Sequence, residues 1–416
     1  MRGKIFESIV IVDLHVQCFA ILQPHLFHRV PQLPRGGGQF QLGIEGFTVL
    51  DFSQFLAGPF ASLRLADLGA RVIKVERPGT GDAYRSNYGP ALKIRGDNGA
   101  YYYVNRDKES VSVDLKDAAQ REKLRPLLEQ ADAMIINFRP EVTKRLHLDY
   151  ESVKAINPGI VYGQITGYGE DNAWKDKPGQ DLLVQCATGA CDLNGSGTEP
   201  IPFGVAVADE FSGMYLAQGL MAGLYHKQMT GEGCKIDTSL AESMLDIEFE
   251  NFGTFLNNGQ KLLPRGKVNG VNPCHGAPYG IYATQDGYLA LAMTSVPNLG
   301  KLLGCEPITH YANKADWFDC QDEIKLELKN HLAQNTTAHW LEILEAADIW
   351  CAQVYNWNQL LETEGFRALD MLQTVRQDDE LSFETTRCPI KIDQTYLKSE
   401  RPAPNIGEQN KKYNIE

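Results

Sequence analysis

From Phe47 onward the chain alternates short apolar runs with helix-patterned segments, and that alternation limits the fold more than any other feature. FTVLDF reads as a buried strand, and Pro59 to Leu68 follows as a helix with proline at its first position and Gly69 just past its end. RVIKVE (71–76), SVSVDL (110–115), AMIINF (133–138) and GIVYGQI (159–165) read as further strands, with helical segments over about 117–130 and 141–156. Strands that alternate with helices predict an α/β fold: a parallel sheet covered on both faces, with ligands gathering at the carboxyl ends of its strands.

Gly204 to Leu224, GVAVADEFSGMYLAQGLMAGL, is almost entirely apolar or small, which predicts a buried helix over about 210–228 with Asp209 at its mouth. An acid in that position is either a cap or a working group held at the edge of the core. Taken alone the cap is the commoner meaning, because Asp is a preferred N-cap residue. After this helix, CKIDTSL (234–240) reads as a strand leading into helical AESMLDIEFENFGTFL.

The Gly-, Asn- and Lys-rich run from about Leu262 to Asn272 reads as a boundary loop. A smaller mixed module follows, opening with PYGIYATQDGYLALAM (278–293), whose Gln285-Asp286-Gly287 makes a hairpin turn, and continuing with helices near 322–333 and 338–346. The tail from about Phe366 holds a short strand near Ile390 and a polar run. Residues 1 to about 42 end in Pro34-Arg35-Gly36-Gly37-Gly38 and read as an appendage.

Lys plus Arg total 40 against 53 for Asp plus Glu, an excess of negative charge that opposes broad attraction to nucleic acid or anionic lipid. The nine cysteines form no C-x-x-C pair and indicate neither a zinc site nor a disulfide framework. Asp13 and His15 interrupt the apolar run Ser8 to Leu22 and no small-residue cleavage site follows, so the expected location is cytoplasmic, with no membrane partner.

No G-x-G-x-x-G follows the first strand, where DFSQFLAGP stands instead, and this disfavours nicotinamide and flavin chemistry. Ala57 and Gly58 expose backbone at a helix N-terminus, which suits an anion or simply close packing. Arg77, Lys116, Arg139 and Arg145 all fall at or just beyond the carboxyl ends of strands, as a polyphosphate ligand requires, although each alone reads as an ordinary surface charge. Phe55 or Phe138 could stack on an adenine ring or belong to the core. His275, in NPCHGAPYG, has no second ligand at metal spacing, so it is structural or substrate-facing and no metal is expected.

At this point the residues resemble a known family. LDFSQFLAGPFASLRLADLGARVIKVERPGTGD, NRDKESVSVDLK, INFRP, the TGYG at 166–169, DLLVQCATG, VADEFSG and PYGIYATQDGY occur in the order found in the class III CoA-transferases (the CaiB/BaiF family), which include formyl-CoA:oxalate and carnitine CoA-transferases. The resemblance runs from about Gly43 to the tail. It implies that Asp209 is the nucleophile, with CoA contacts at Leu56, Ala57, Arg77, Val113, Asp114, Leu115, Lys116, Asn137, Phe138, Arg139 and Arg145.

It also implies a Rossmann-like large domain built by both ends of the chain, a smaller inserted α+β domain, and a homodimer of interlocked subunits. The expected division is an extension over 1–42, the first part of the large domain over 43–230, linker helices over 231–261, the small domain over 262–350 and a return segment over 351–416. CoA thioesters and a small carboxylic acid are then substrates, and no cofactor is permanently bound.

Departures from the family pattern bear on specificity. Formyl-CoA transferases carry Gln where Leu56 stands, an aromatic at 180 and four glycines where this chain has VNPCHGAP, so formyl-CoA and oxalate are not the expected pair. Gln180, Asn272, His275 and Gly276 are the substrate-loop candidates. The racemase branch of the fold places a His at 180, and Gln180 cannot serve as an imidazole base. A racemase-like isomerase and a CoA-binding protein without catalysis stay open as alternatives.

Overall fold

Apolar and β-branched residues build the central strands, and parallel pairing orders them. The computed structural model describes residues 44–86, 92–197 and 199–415, so the extension over 1–42 and its glycine triplet lie outside the described residues. The sheet consists of β1 (Thr48–Asp51), β2 (Arg71–Glu76), β3 (Lys108–Ser112), β4 (Ala133–Ile136), β5 (Val161–Thr166) and β6 (Cys234–Ser239). All are parallel, in the order β3-β2-β1-β4-β5-β6. The order reverses between β1 and β4, where Leu50 pairs with Ile73 on one side and Met134 on the other. The crevice outside that reversal is where open α/β sheets hold their ligands.

The two-residue period of the strands sends alternate side chains to opposite faces. On one face Val49, Val72, Ile135 and Val161 pack against Ala61 and Leu65 of α1 (Ala57–Asp67) and Leu216, Leu220 and Leu224 of a long helix farther along the chain. On the other, Leu50, Ile73, Met134 and Ile136 meet Leu128, Leu146, Val153 and, from the far end of the chain, Ile415. The tail thereby covers the free edge of β3: Gln409 N–H donates to Ser110 O at 2.9 Å, and Ser112 N–H donates to Asn410 Oδ1 at 2.8 Å. An open sheet edge is a template for unwanted pairing, and this segment removes it.

The smaller module is an antiparallel sheet of β7 (Gly280–Ala283), β8 (Tyr288–Leu291) and β9 (Cys351–Gln353) with its own core of Tyr282, Leu289, Leu299, Ile324, Leu328, Trp340 and Leu344. The turn after β7 is anchored by Asp286 Oδ1, which accepts from Thr337 N–H at 2.8 Å. A second hairpin pairs β10 (Leu372–Arg376) with β11 (Ser382–Thr386). Among the described residues no helix is long and apolar enough to cross a membrane.

Several elements differ from expectation. The helix expected from Pro59 begins at Ala57, so Ala57 and Gly58 lie inside its first turn, where proline at the third position loses no helical hydrogen bond. The strand expected over 110–115 starts at Lys108 and ends at Ser112, because Lys108 is buried against a carboxylate of β1. The segments 117–130 and 141–156 each split in two, the second at His147, whose left-handed φ of 55° ends one helix before Asp149 caps the next. The helix expected at 210–228 spans Val207–Thr230, and burial all round is overturned: Met214 is 51% exposed, Tyr225 66% and Met229 66%. The hairpin over 372–386 was not anticipated, because only Val375 and Phe383 of its strands belong to an apolar core.

Candidate active site

Two helices meet at Asp209. The first is α2 (Asp181–Thr188), at the carboxyl end of β5, and the second is α3 (Val207–Thr230), whose N-cap position is Ala206. Alanine offers no capping oxygen, and Asp181 supplies one from α2: its Oδ1 accepts from Ala208 N–H at 2.8 Å. Its other oxygen accepts from Gln185 Nε2 at 2.7 Å, and Gln185 Oε1 accepts from Phe203 N–H at 2.9 Å. The carboxylate of Asp209 therefore does no capping, and among the described residues it accepts no hydrogen bond. Burial first, then the charges of Asp181 and Glu210, push its pKa up to about 7.

The helix carrying Asp209 touches the loop after β1. Gly213, one turn beyond Asp209, has no room for a side chain, since a Cβ there would lie 2.6 Å from Ala57 O. One turn of helix spans about 6 Å along the axis, so Asp209 stands close to the 53–57 loop. Within that loop Phe55 adopts a left-handed φ of 65°, and its N–H donates to Asp82 Oδ1 at 3.1 Å. The same oxygen accepts from Tyr84 N–H at 2.9 Å, and the rings of Phe55 and Tyr84 lie 6.4 Å apart. Burial, followed by the charges of Asp209, Asp82 and Glu210, raises the Tyr84 phenol.

Beneath the loop lies a buried charge network. Lys74 Nζ lies 2.8 Å from Asp82 Oδ2 and donates to Ser53 O at 2.8 Å. Lys108 Nζ lies 3.2 Å from Asp51 Oδ2 and donates to Pro59 O at 2.9 Å and Asn105 Oδ1 at 2.8 Å. Burial works against the Asp51 anion, yet Lys74, Lys108 and the hydroxyls of Ser53 and Ser62 outweigh it and hold the carboxyl well below its usual range. The loop from Ser53 to Pro59 is thus braced from below at two backbone carbonyls.

The residues expected to meet CoA leave the sheet along one edge. Leu56 is the N-cap of α1 and Ala57 its buried first residue. Arg77 follows β2; Asp114, Leu115 and Lys116 follow β3; Phe138 and Arg139 follow β4; and Arg145 lies in the last turn of helix Pro140–Leu146. Arg77, Lys116, Arg139 and Arg145 are exposed, and none makes an ion pair among the described residues. Val113 offers backbone only, its side chain being buried. Asn137 spends its amide on the loop, accepting from Gln54 N–H at 2.9 Å and donating to Gln54 O at 2.8 Å.

Known proteins share this fold. The profile of CoA-transferase family III matches residues 44–410. The chain belongs to CoA-transferase family III. It is 30% identical over 378 residues to the succinate–glutarate CoA-transferase of Agrobacterium fabrum, covering 88% of this chain and 93% of that one. It is 29% identical over 383 residues to the succinyl-CoA:mesaconate CoA-transferase of Haloarcula hispanica, covering 88% and 94%. The crystal structure of a CAIB/BAIF family protein from Brucella suis matches with a TM-score of 0.78 at 28% identity, covering 91% of this chain and all of that one.

In this family III chain the substrate-loop candidates fall on two separate stretches of the sequence. Gln180 is exposed beside Asp181. Asn272 shapes a turn: its Oδ1 accepts from Cys274 N–H at 2.9 Å and its carbonyl from His275 N–H at 3.0 Å. His275 stacks on Tyr279 with centroids 4.7 Å apart, and its Nδ1 is buried without a hydrogen-bond partner among the described residues. Gly276 presses on the small module, since a Cβ there would meet Trp317 O at 2.5 Å. His275 and Gly276 line a cavity of about 500 Å³ with Thr294, Ser295, Lys314 and Trp317. Among the described residues no hydrogen bond, ion pair or ring contact joins this loop to Asp209. Asp181, Glu210, Tyr84 and the Asp51–Lys74–Lys108 cluster were not singled out from sequence. The only cue to Asp181 was an acid at the start of DLLVQCATG.

Proposed function

We propose that this chain moves CoA from an acyl-CoA thioester to a small free carboxylic acid, with Asp209 as the covalent nucleophile. One observation carries the proposal: a half-buried carboxylate with no hydrogen-bond partner among the described residues stands at the head of α3, one turn from the contact between Gly213 and the Ala57 carbonyl. Asp209 attacks the thioester carbonyl, giving a mixed anhydride and free CoA thiolate. The thiolate attacks the aspartyl carbonyl, forming an aspartyl-CoA thioester and releasing the donor acid. The acceptor carboxylate repeats the first step on that thioester, and the thiolate finally attacks the acceptor's carbonyl, which regenerates Asp209. The elevated pKa of Asp209 makes its anion more basic, and hence a better nucleophile, than an ordinary aspartate.

The exposed cations Arg77, Lys116, Arg139 and Arg145, which make no ion pair among the described residues, suit the phosphates of CoA. Backbone N–H groups of the loop around Gly270 to Gly276 are candidates for the oxyanions. Because no hydrogen bond, ion pair or ring contact joins that loop to Asp209 among the described residues, and because α3 presents Met214, Tyr225 and Met229 to solvent, the working form we propose is a homodimer. The names of the relatives point to short dicarboxylic acids as the first acceptors to try. The alternative, an isomerase using Asp209 as base, lacks an imidazole at position 180.

Purified protein given a panel of acyl-CoAs and free acids should form the exchanged thioesters by mass spectrometry, and hydroxylamine added during turnover should leave a hydroxamate at Asp209. Transfer proceeding with Asp209 unmodified would refute the mechanism. Incorporation of deuterium at the α-carbon without transfer would favour the isomerase.

A further inference from the structure

Five residues apart, Cys186 on α2 and Cys191 on the short helix Ala190–Leu193 bring their sulfurs to 3.4 Å of each other. Cys186 is exposed and Cys191 buried, with Gly189 turning the chain between them at a φ of 103°. Among the described residues no group of three or more His, Cys, Asp and Glu side chains could hold a metal. The pair is wired to the segment that leads into α3. Cys191 O accepts from Ile201 N–H at 2.9 Å, and Gln185, next to Cys186, accepts from Phe203 N–H at 2.9 Å. The same helix carries Asp181, whose carboxylate caps the turn that holds Asp209.

We propose that Cys186 and Cys191 form an oxidative modification site, a dithiol that a hydroperoxide closes to a disulfide and a small thiol reopens, and that closure disturbs the approach to Asp209. The exposed Cys186 thiolate attacks the peroxide oxygen, giving a sulfenic acid and, for hydrogen peroxide, one water. Cys191 Sγ then attacks Cys186 Sγ and expels hydroxide, which leaves as water with the Cys191 proton. Two thiols and one hydrogen peroxide thus give one disulfide and two waters. The order follows from the surroundings: burial, then the hydrogen bond to Cys186 and the charges of Cys186, Asp181 and Glu248, push the Cys191 thiol up to about 11, which leaves the exposed Cys186 as the first nucleophile. A disulfide needs about 2.05 Å between sulfurs, so closure draws the two helices together about Gly189. That movement pulls on both anchors of the 201–203 segment and on Asp181.

The test uses the full chain treated with hydrogen peroxide, then alkylated and digested. The peptide holding both cysteines should lose the mass of two hydrogens and escape alkylation at both sites, and dithiothreitol should restore both. Cys186→Ser and Cys191→Ser should each abolish the loss. Absence of the bond in the oxidised wild-type chain overturns the proposal. Only the activity arm rests on the proposed CoA transfer: the wild type should slow by about tenfold or more on oxidation, the scale on which a misplaced catalytic group slows a reaction, and recover with dithiothreitol, while Cys186→Ser should not slow. A disulfide that forms without slowing transfer overturns the coupling to Asp209. A reduced chain that shows no transfer at all counts against the proposed function and leaves the mapped disulfide standing.

Discussion

Asp181 Oδ1 accepts the backbone N–H of Ala208 at 2.8 Å, so the acid that caps α3 lies 27 residues before the N–H it binds rather than in the helix's own first turn. This arrangement organises the turn that carries Asp209 while leaving the Asp209 carboxylate without a hydrogen bond among the described residues, and its negative charge adds to the burial that raises the pKa of Asp209. Asp181→Asn should retain an accepting oxygen and remove the charge, so the acid limb of the kcat/KM profile should move to lower pH. Asp181→Ala should make the same move and also lower stability by about 1 kcal/mol, the usual worth of a cap. An acid limb that stays in place in both variants would separate Asp181 from the titration of Asp209.

Asp209 also sets a pH dependence of stability. Its folded pKa of about 7 lies above the ordinary 3.8, so the native state holds a proton that the unfolded chain releases. Its contribution is fully present below about pH 4 and is lost as pH rises through 7. Asp209→Asn should therefore raise the thermal midpoint at pH 8 and leave it nearly unchanged at pH 4. One pKa unit corresponds to about 1.4 kcal/mol, and partial exposure of the side chain reduces the total gain at pH 8 to about 1–3 kcal/mol. The same variant should carry out no transfer while binding CoA normally. Equal midpoints of wild type and variant at pH 8 would place Asp209 in a more hydrated setting than the structure shows.

The parallel sheet was legible because its strands are apolar runs separated by helices, and the position of its carboxyl edge followed from that pattern. What escaped was information carried by distant pairs. Lys108 and Glu109 look like loop residues, and it is Asp51, 57 positions away, with the Pro59 carbonyl and Asn105, that makes the burial of Lys108 tolerable and lets β3 begin there. Local pattern likewise cannot show that Asp181 caps α3, so taken alone Asp209 read more readily as a cap than as a catalytic group. The all-round burial expected of α3 came from composition alone, and within one chain its Met214, Tyr225 and Met229 face solvent.

The four exposed cations at the carboxyl edge should act on binding rather than on chemistry. Replacing Arg77, Lys116, Arg139 or Arg145 singly by Gln should raise KM for the acyl-CoA by about three- to tenfold, as loss of one charge-assisted contact implies, with kcat little changed. The effect should shrink as salt rises, because exposed charges are screened beyond about 10 Å at 0.1 M. Initial-rate measurements at two salt concentrations check this, and a change confined to kcat would argue against a phosphate contact.

Gly213 joins α3 to the loop after β1, and the joint leaves no space for a methyl group. A Cβ at that position would fall 2.6 Å from Ala57 O and 3.2 Å from the Phe60 ring, and neither neighbour is free to withdraw. Ala57 lies in the first turn of α1, whose preceding loop is held by Asp82, Lys74 and Asn137. Gly213→Ala adds intrinsic helix propensity of about 1 kcal/mol, which in an open helix would be a gain. Here overpacking of about 1–3 kcal/mol outweighs it, and α3 must shift away from α1. Since Asp209 sits one turn from the joint, the shift moves the carboxylate relative to the bound thioester. We expect Gly213→Ala to fold, to melt at a lower temperature than the wild type, and to lose kcat by about tenfold or more while KM changes less. A variant with raised stability and unchanged kcat would show that the two helices are not locked together at this contact.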